Sequence, residues 1–144
     1  MARYSVLIVD DEEDFREITT KQLIRRDVNC ESAPDGDSAL KMINVQHYDV
    51  VLLDVKMPGK DGIETLREIK RIAPMTEVIM LTGHATVESG INGIKYGAFD
   101  YLMKPMDMEP LMEKLDAAYE RKRIQQEKIE SAQSKNNLAR PTKG

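Results

Sequence analysis

Short apolar runs in this chain end on side chains that can do chemistry. VLIV (Val6–Val9) is followed by Asp10, Asp11 and Glu12, VVLL (Val50–Leu53) by Asp54, VIML by Thr82, and DYLM by Lys104 and Pro105. Acids placed side by side repel one another by about 1 to 4 kcal/mol at close range, depending on the local dielectric. Something must offset that repulsion. A hard divalent cation such as Mg2+ takes oxygen ligands, often one or two carboxylates with phosphate oxygens and waters. Asp11 and Asp54 could hold it, with Asp10 in support through water. Neutralised in this way, a carboxylate can act as a nucleophile toward a phosphoryl group. Asp54 would attack, while the Lys104 charge and the Thr82 hydroxyl would serve the equatorial oxygens.

Such a set must converge, and the pattern of the chain supplies the means. Apolar runs alternate with segments of helical period, which predicts repeated strand-helix units and a parallel sheet. The expected strands are Ser5–Val9, Asn29–Ala33, Val50–Leu53, Glu77–Leu81 and Asp100–Met103. The third is apolar throughout, as a central strand covered on both faces should be. Helix faces are expected at Phe15, Ile18 and Leu23; at Ala39, Leu40 and Ile43; at Ile63, Leu66 and Ile69; at Val87, Ile91 and Ile94; and at Leu111, Leu115 and Ala118. The fourth helix carries Gly90 and Gly93, each costing up to about 1 kcal/mol relative to Ala, so it is the least secure. In an open parallel sheet, ligands sit beyond the carboxyl ends of the strands, where all the reactive residues fall.

The bulk numbers agree with one soluble domain. The chain has 144 residues, 41% hydrophobic and 32% charged, and no apolar run approaches the roughly 20 residues of a membrane helix. No signal segment opens it. A lone cysteine, Cys30, and two histidines, His47 and His84, offer neither a disulfide nor a zinc cluster. Cys30 reads as a small buried strand residue in a reducing cytosol. The net charge is -4, but from Glu120 onward seven Lys or Arg face three Glu, so the body is more acidic than the whole. An acidic body argues against nucleic-acid binding through phosphate neutralisation. His47 reads as an exposed loop residue, and Arg121–Arg123 as a solvated basic face.

Each reactive residue also has an ordinary reading. Asp11 to Asp14 could be acids favoured at a helix start. Thr82 could be a turn residue, Lys104 a surface lysine, Tyr101 a core residue, and MPGKDG (Met57–Gly62) a simple loop. Asp54 is harder to explain so, because a charge at the mouth of a buried strand is costly when unpaired.

VLIVDDEED, VVLLDVKMPGKDG, VIMLTGH and GAFDYLMKP, in this order, resemble the response-regulator receiver domain of two-component signalling, over about Arg3 to Tyr119. The stretch HATVESGINGIKYGAFDYLMKP is most similar to receivers of NtrC-type transcription activators. The resemblance implies a flavodoxin-like α/β fold of (βα)5 type, an open parallel sheet of order 2-1-3-4-5 with helices on both faces. It implies that Asp54 is the phosphoacceptor and that Asp10, Asp11, Asp54 and the backbone carbonyl of Lys56 bind Mg2+, with Mn2+ as a substitute. Thr82 and Lys104 would contact the phosphoryl oxygens, Thr82 and Tyr101 would form the switch pair, and Lys56 and His84 would tune the rate. The Lys104–Pro105 bond is expected to be cis.

The implied function is a switch, not a turnover enzyme. It would take phosphate from a phosphohistidine on a sensor kinase or phosphotransfer protein, then lose it by autodephosphorylation. The surface of helix 4, strand 5 and helix 5 would change to control a downstream protein or output domain, with homodimerisation through that surface or an extended helix 5. A haloacid-dehalogenase-like phosphatase would want Asp where Glu12 stands and a late acidic pair, and a flavin module would suffer from the acids after strand one. After Tyr119 the sequence is polar. A solvated continuation of helix 5 is expected, fraying near Asn136, Asn137 and Pro141, with a heptad seam too polar for a coiled coil and no room for an output domain.

Overall fold

The computed structural model describes residues 2–55, 62–83 and 93–139, with side chains as far as 134. Lys56, the loop from Met57 to Asp61, His84, Val87, Gly90, Ile91 and Pro141 therefore lie outside the described residues. The elements in chain order are β1 (Ser5–Val9), α1 (Glu13–Ile24), β2 (Asn29–Ala33), α2 (Gly36–Val45), β3 (Val50–Asp54), α3 (Gly62–Ile72), β4 (Glu77–Thr82), helical residues 93–95 as α4, β5 (Asp100–Met103) and α5 (Met108–Ala139).

All five strands are parallel, in the order β2-β1-β3-β4-β5. VVLL does occupy the middle, and every residue of β3 is buried. Side chains of a strand alternate between faces, and the core divides accordingly. Val6, Ile8, Val50, Leu52, Ile79 and Leu81 face Leu23 of α1 and Leu111, Leu115 and Ala118 of α5. Leu7, Val9, Val51, Leu53, Val78 and Met80 face Ala39 and Ile43 of α2 and Leu66 and Ile69 of α3. A central sheet with two apolar faces and helices on each is the cheapest way to bury such runs.

Three expectations change. On α1 the inner stripe is Phe15, Thr19 and Leu23, four residues apart. Ile18 lies one position off that stripe and is 58% exposed, with the buried Thr19 in its place. Ile94 of the fourth helix is likewise exposed. At the other end of the chain, α5 runs unbroken through Asn136 and Asn137 to Ala139, since an asparagine costs a helix only a fraction of a kcal/mol. Strands β3 and β4 each extend one residue beyond expectation, so Asp54 and Thr82 belong to the ladder itself.

Candidate functional site

Parallel register lines up the reactive residues. Val9 pairs with Leu53, Asp54 with Leu81, and Thr82 with Met103, so Asp10, Asp54, Thr82 and Lys104 end up on one edge of the sheet. Neighbouring strands are about 4.8 Å apart. The backbone holds this edge together: Asp10 N–H donates to the Ala33 carbonyl at 3.1 Å, Val55 N–H to Leu81 at 2.9 Å and Lys104 N–H to Thr82 at 2.8 Å. The Lys104–Pro105 peptide is cis.

Asp10 is fully buried and its side chain is divided between two tasks. Oδ1 accepts the Glu12 N–H at 2.9 Å, which turns the chain into α1, and Oδ2 meets Lys104 Nζ at 2.6 Å. Its carbonyl accepts from Arg16 Nη1 at 2.7 Å. This is an Asx turn ahead of α1, and Glu12 at the N-cap makes no side-chain cap bond.

Lys104 is far from a solvated lysine, with a side chain only 11% exposed. Besides Asp10 it reaches Glu12 Oε1 at 3.1 Å, and its ammonium lies 4.3 Å from the centroid of the Phe15 ring. Burial alone would lower its pKa. Hydrogen bonds to Asp10 and Glu12, with the charges of Asp10 and Asp54, outweigh that and hold it above the ordinary lysine value.

Carboxylate oxygens of Asp10, Asp11 and Glu12 lie within 4.8 Å of one another. Asp11 and Glu12 are exposed, Asp10 buried. Asp54, buried at 6% exposure, stands at the adjacent strand end. Glu12, one of the acids after β1, and Phe15, expected on the inner face of α1, both join the site through the Lys104 ammonium. Thr82 is buried, and its Oγ1 donates to the Leu102 carbonyl at 3.5 Å, the outer limit of a hydrogen bond. Tyr101, beside Met80 in the ladder, is half-buried against the α2/α3 side of the core. Lys56 and His84 lie outside the described residues, and the remaining histidine, His47, is exposed at the far edge beside Asp49.

Backbone proximity also shapes the edge. A Cβ on Gly62 would lie 2.7 Å from the Asp54 carbonyl oxygen and 2.8 Å from that of Val55, so only glycine lets α3 begin this close to the end of β3.

The sequence pattern described as the response regulator receiver domain matches residues 6–116. Regulatory protein AtoC of Escherichia coli is 38% identical over 106 residues, covering 74% of this chain and 23% of AtoC. The DNA-binding transcriptional regulator NtrC of Klebsiella pneumoniae is 33% identical over 127 residues, 88% of this chain and 27% of NtrC. A crystal structure of NtrX from Brucella abortus superposes with a TM-score of 0.84 at 33% identity, over 90% of this chain and 29% of NtrX. The chain thus spans about a quarter of the length of these curated relatives. With that likeness added to the strand order and the edge just described, the chain belongs to the response regulator receiver domain family.

Proposed function

We propose that Asp54 is the phosphoacceptor of this receiver and that its phosphorylation operates a signalling switch. The observation that carries the reading is the reach of Lys104 from the end of β5 to the buried Asp10 at 2.6 Å, which brings a cation into the acid cluster beside Asp54. The Asp54 carboxylate oxygen attacks phosphorus as the bond to the donor's imidazole nitrogen breaks, and Lys104 carries positive charge to the phosphoryl oxygens. The weak Thr82 hydrogen bond is cheap to exchange for one to the phosphoryl group. Turning that hydroxyl away from Leu102 leaves room toward which the Tyr101 ring can move. Only contacts that differ between the two states shift their balance, and phosphorylation adds roughly -1.5 to -2 charges at this point.

The donors at the edge suit Mg2+: all are hard oxygens, gathered within 4.8 Å in the Asp10, Asp11 and Glu12 group. Asp10, Asp11 and Asp54 would hold it, with Glu12 alongside and the carbonyl of Lys56 as the remaining ligand in this proposal. When bound, the cation neutralises charge between the acceptor and the incoming group.

The phosphodonor is a phosphohistidine on a sensor kinase or phosphotransfer protein, and the readout is a downstream protein or output domain, which the regulator names of the relatives support. The chain catalyses only its own phosphorylation and dephosphorylation. No helix among the described residues is long and apolar enough to cross a membrane, and a cytoplasmic location belongs to the same proposal.

The test is an intact mass measured after incubation with Mg2+ and acetyl phosphate. The native chain should gain one phosphoryl group; Asp54→Asn, or the native chain without Mg2+, should gain none. An unchanged native mass, or the same gain in Asp54→Asn, overturns the proposal.

A further inference from the structure

The edge of the sheet opposite the acid cluster holds a second set of charges. Arg121–Arg123 read as a solvated face in the sequence, yet Lys122 is buried with a side chain only 6% exposed. Its Nζ donates to Asp49 Oδ1 at 2.7 Å, and Asp49 Oδ2 accepts from Ser5 N–H at 2.9 Å and from Ser5 Oγ at 3.1 Å. Next to it, Arg121 Nε lies 3.0 Å from Oε2 of Glu77, whose side chain is 4% exposed, as an ion pair without an aligned hydrogen bond. The same Arg121 guanidinium stands 5.6 Å from the Phe99 ring centroid. One turn earlier, Tyr119 stacks on Tyr4 at 4.9 Å, and Asp116 accepts from the Tyr4 hydroxyl at 2.6 Å.

The positions of these carboxylates matter. Asp49 immediately precedes β3, which ends on Asp54, and Glu77 opens β4, which ends on Thr82. Beyond Lys122, every described side chain of α5 is exposed, so Lys122 is the last buried contact before the helix stands clear of the sheet.

We infer that the Lys122–Asp49 and Arg121–Glu77 pairs are a joint that fixes the direction in which the exposed part of α5 leaves the sheet, gripping the same two strands that carry Asp54 and Thr82. A buried ion pair is weak evidence for stability, because well-packed apolar groups often do as well. What it supplies is register. An apolar contact can slide by part of a turn, whereas Lys122 must meet a carboxylate already held by Ser5, and a misplaced helix would part the buried Lys122 ammonium from Asp49 and leave Glu77 only Lys70, at 3.7 Å. Tyr4 and Tyr119 close the third side. Whatever engages the exposed helix therefore does so at a set angle to β3 and β4.

The test uses nitroxide pairs on the full chain at Lys41→Cys in α2 and Ser131→Cys in the exposed helix, with the distance distribution read by pulsed electron resonance. The native background should give one narrow distribution. Lys122→Met and Arg121→Met should each broaden it, Lys122→Met the more, while the mass gain at Asp54 stays unchanged. Should Lys122→Met not fold, Arg121→Met decides, because its guanidinium is half exposed. Distributions as narrow in the variants as in the native background overturn the joint. The phosphoryl reading stands or falls separately, on mass.

Discussion

At 2.6 Å from Asp10 and 3.1 Å from Glu12, the Lys104 ammonium takes up part of a repulsion that the chain would otherwise carry unaided. Removing it strands the fully buried Asp10 charge, so Lys104→Ala should lower unfolding free energy by about 3 kcal/mol, read from the urea midpoint. Asp11→Asn should act in the other direction. With one acid fewer in the cluster, the metal-free chain should melt about 2 °C higher, and the rise in Tm that Mg2+ gives the native chain should disappear. Calorimetry with and without Mg2+ checks both effects, and a lower metal-free Tm in Asp11→Asn would contradict them.

Asp49 and Cys30 give two further residue-scale outcomes. Burial alone would raise the Asp49 pKa, but the Lys122 ammonium, the Ser5 N–H and His47 outweigh it and hold the carboxyl below its ordinary value. Its contribution to stability is thus complete above the unfolded value of 3.8 and is lost as pH falls through the lower folded value. The native chain should accordingly lose stability below pH 3.8 more steeply than Asp49→Asn, as chemical denaturation at stepped pH would register. Cys30 is buried, and desolvation pushes its thiol up to about 11, so a thiol reagent at pH 8 should leave it unmodified until the chain is unfolded.

At the scale of elements, spacing made most of the fold legible and failed where two readings of a period compete. Phe15, Thr19 and Leu23 form the better stripe on α1, but an apolar Ile18 outweighs a polar Thr19 when residues are read by type. Lys122 escapes a local reading for a related reason. A lysine looks solvated unless its partner is known, and Asp49 lies 73 residues away. By contrast, the strand-end residues could be read because parallel strands deliver their final residues to one edge whatever the helices do. Gly62 shows how tightly that edge is packed. Gly62→Ala would drive a Cβ into the backbone that follows Asp54, at a cost of about 1 to 3 kcal/mol, and should slow phosphoryl labelling as well as lower the urea midpoint. Normal labelling and stability in that variant would contradict the packing described.

For the whole molecule, the sheet works as a plate with two chemistries on opposite edges. One edge gathers acids, a hydroxyl and Lys104. The other grips α5 through Asp49 and Glu77, and β3 and β4 run between them with both faces buried. The acid edge and the fold were legible because four motifs in order are hard to satisfy by accident. The joint was not, since it depends on pairings between distant segments that no local pattern records. The signalling reading rests on one claim about chemistry at the first edge, that the carboxylate of Asp54 becomes an acyl phosphate. Borohydride reduces an acyl phosphate to an alcohol, so an aspartate phosphorylated at the moment of quenching becomes homoserine. Peptide mapping of the chain after treatment with Mg2+, acetyl phosphate and borohydride should find homoserine at position 54 and nowhere else. Homoserine at Asp10 or Asp11, a modified Glu12, or no reduced residue in a chain that has gained phosphate, would contradict the account.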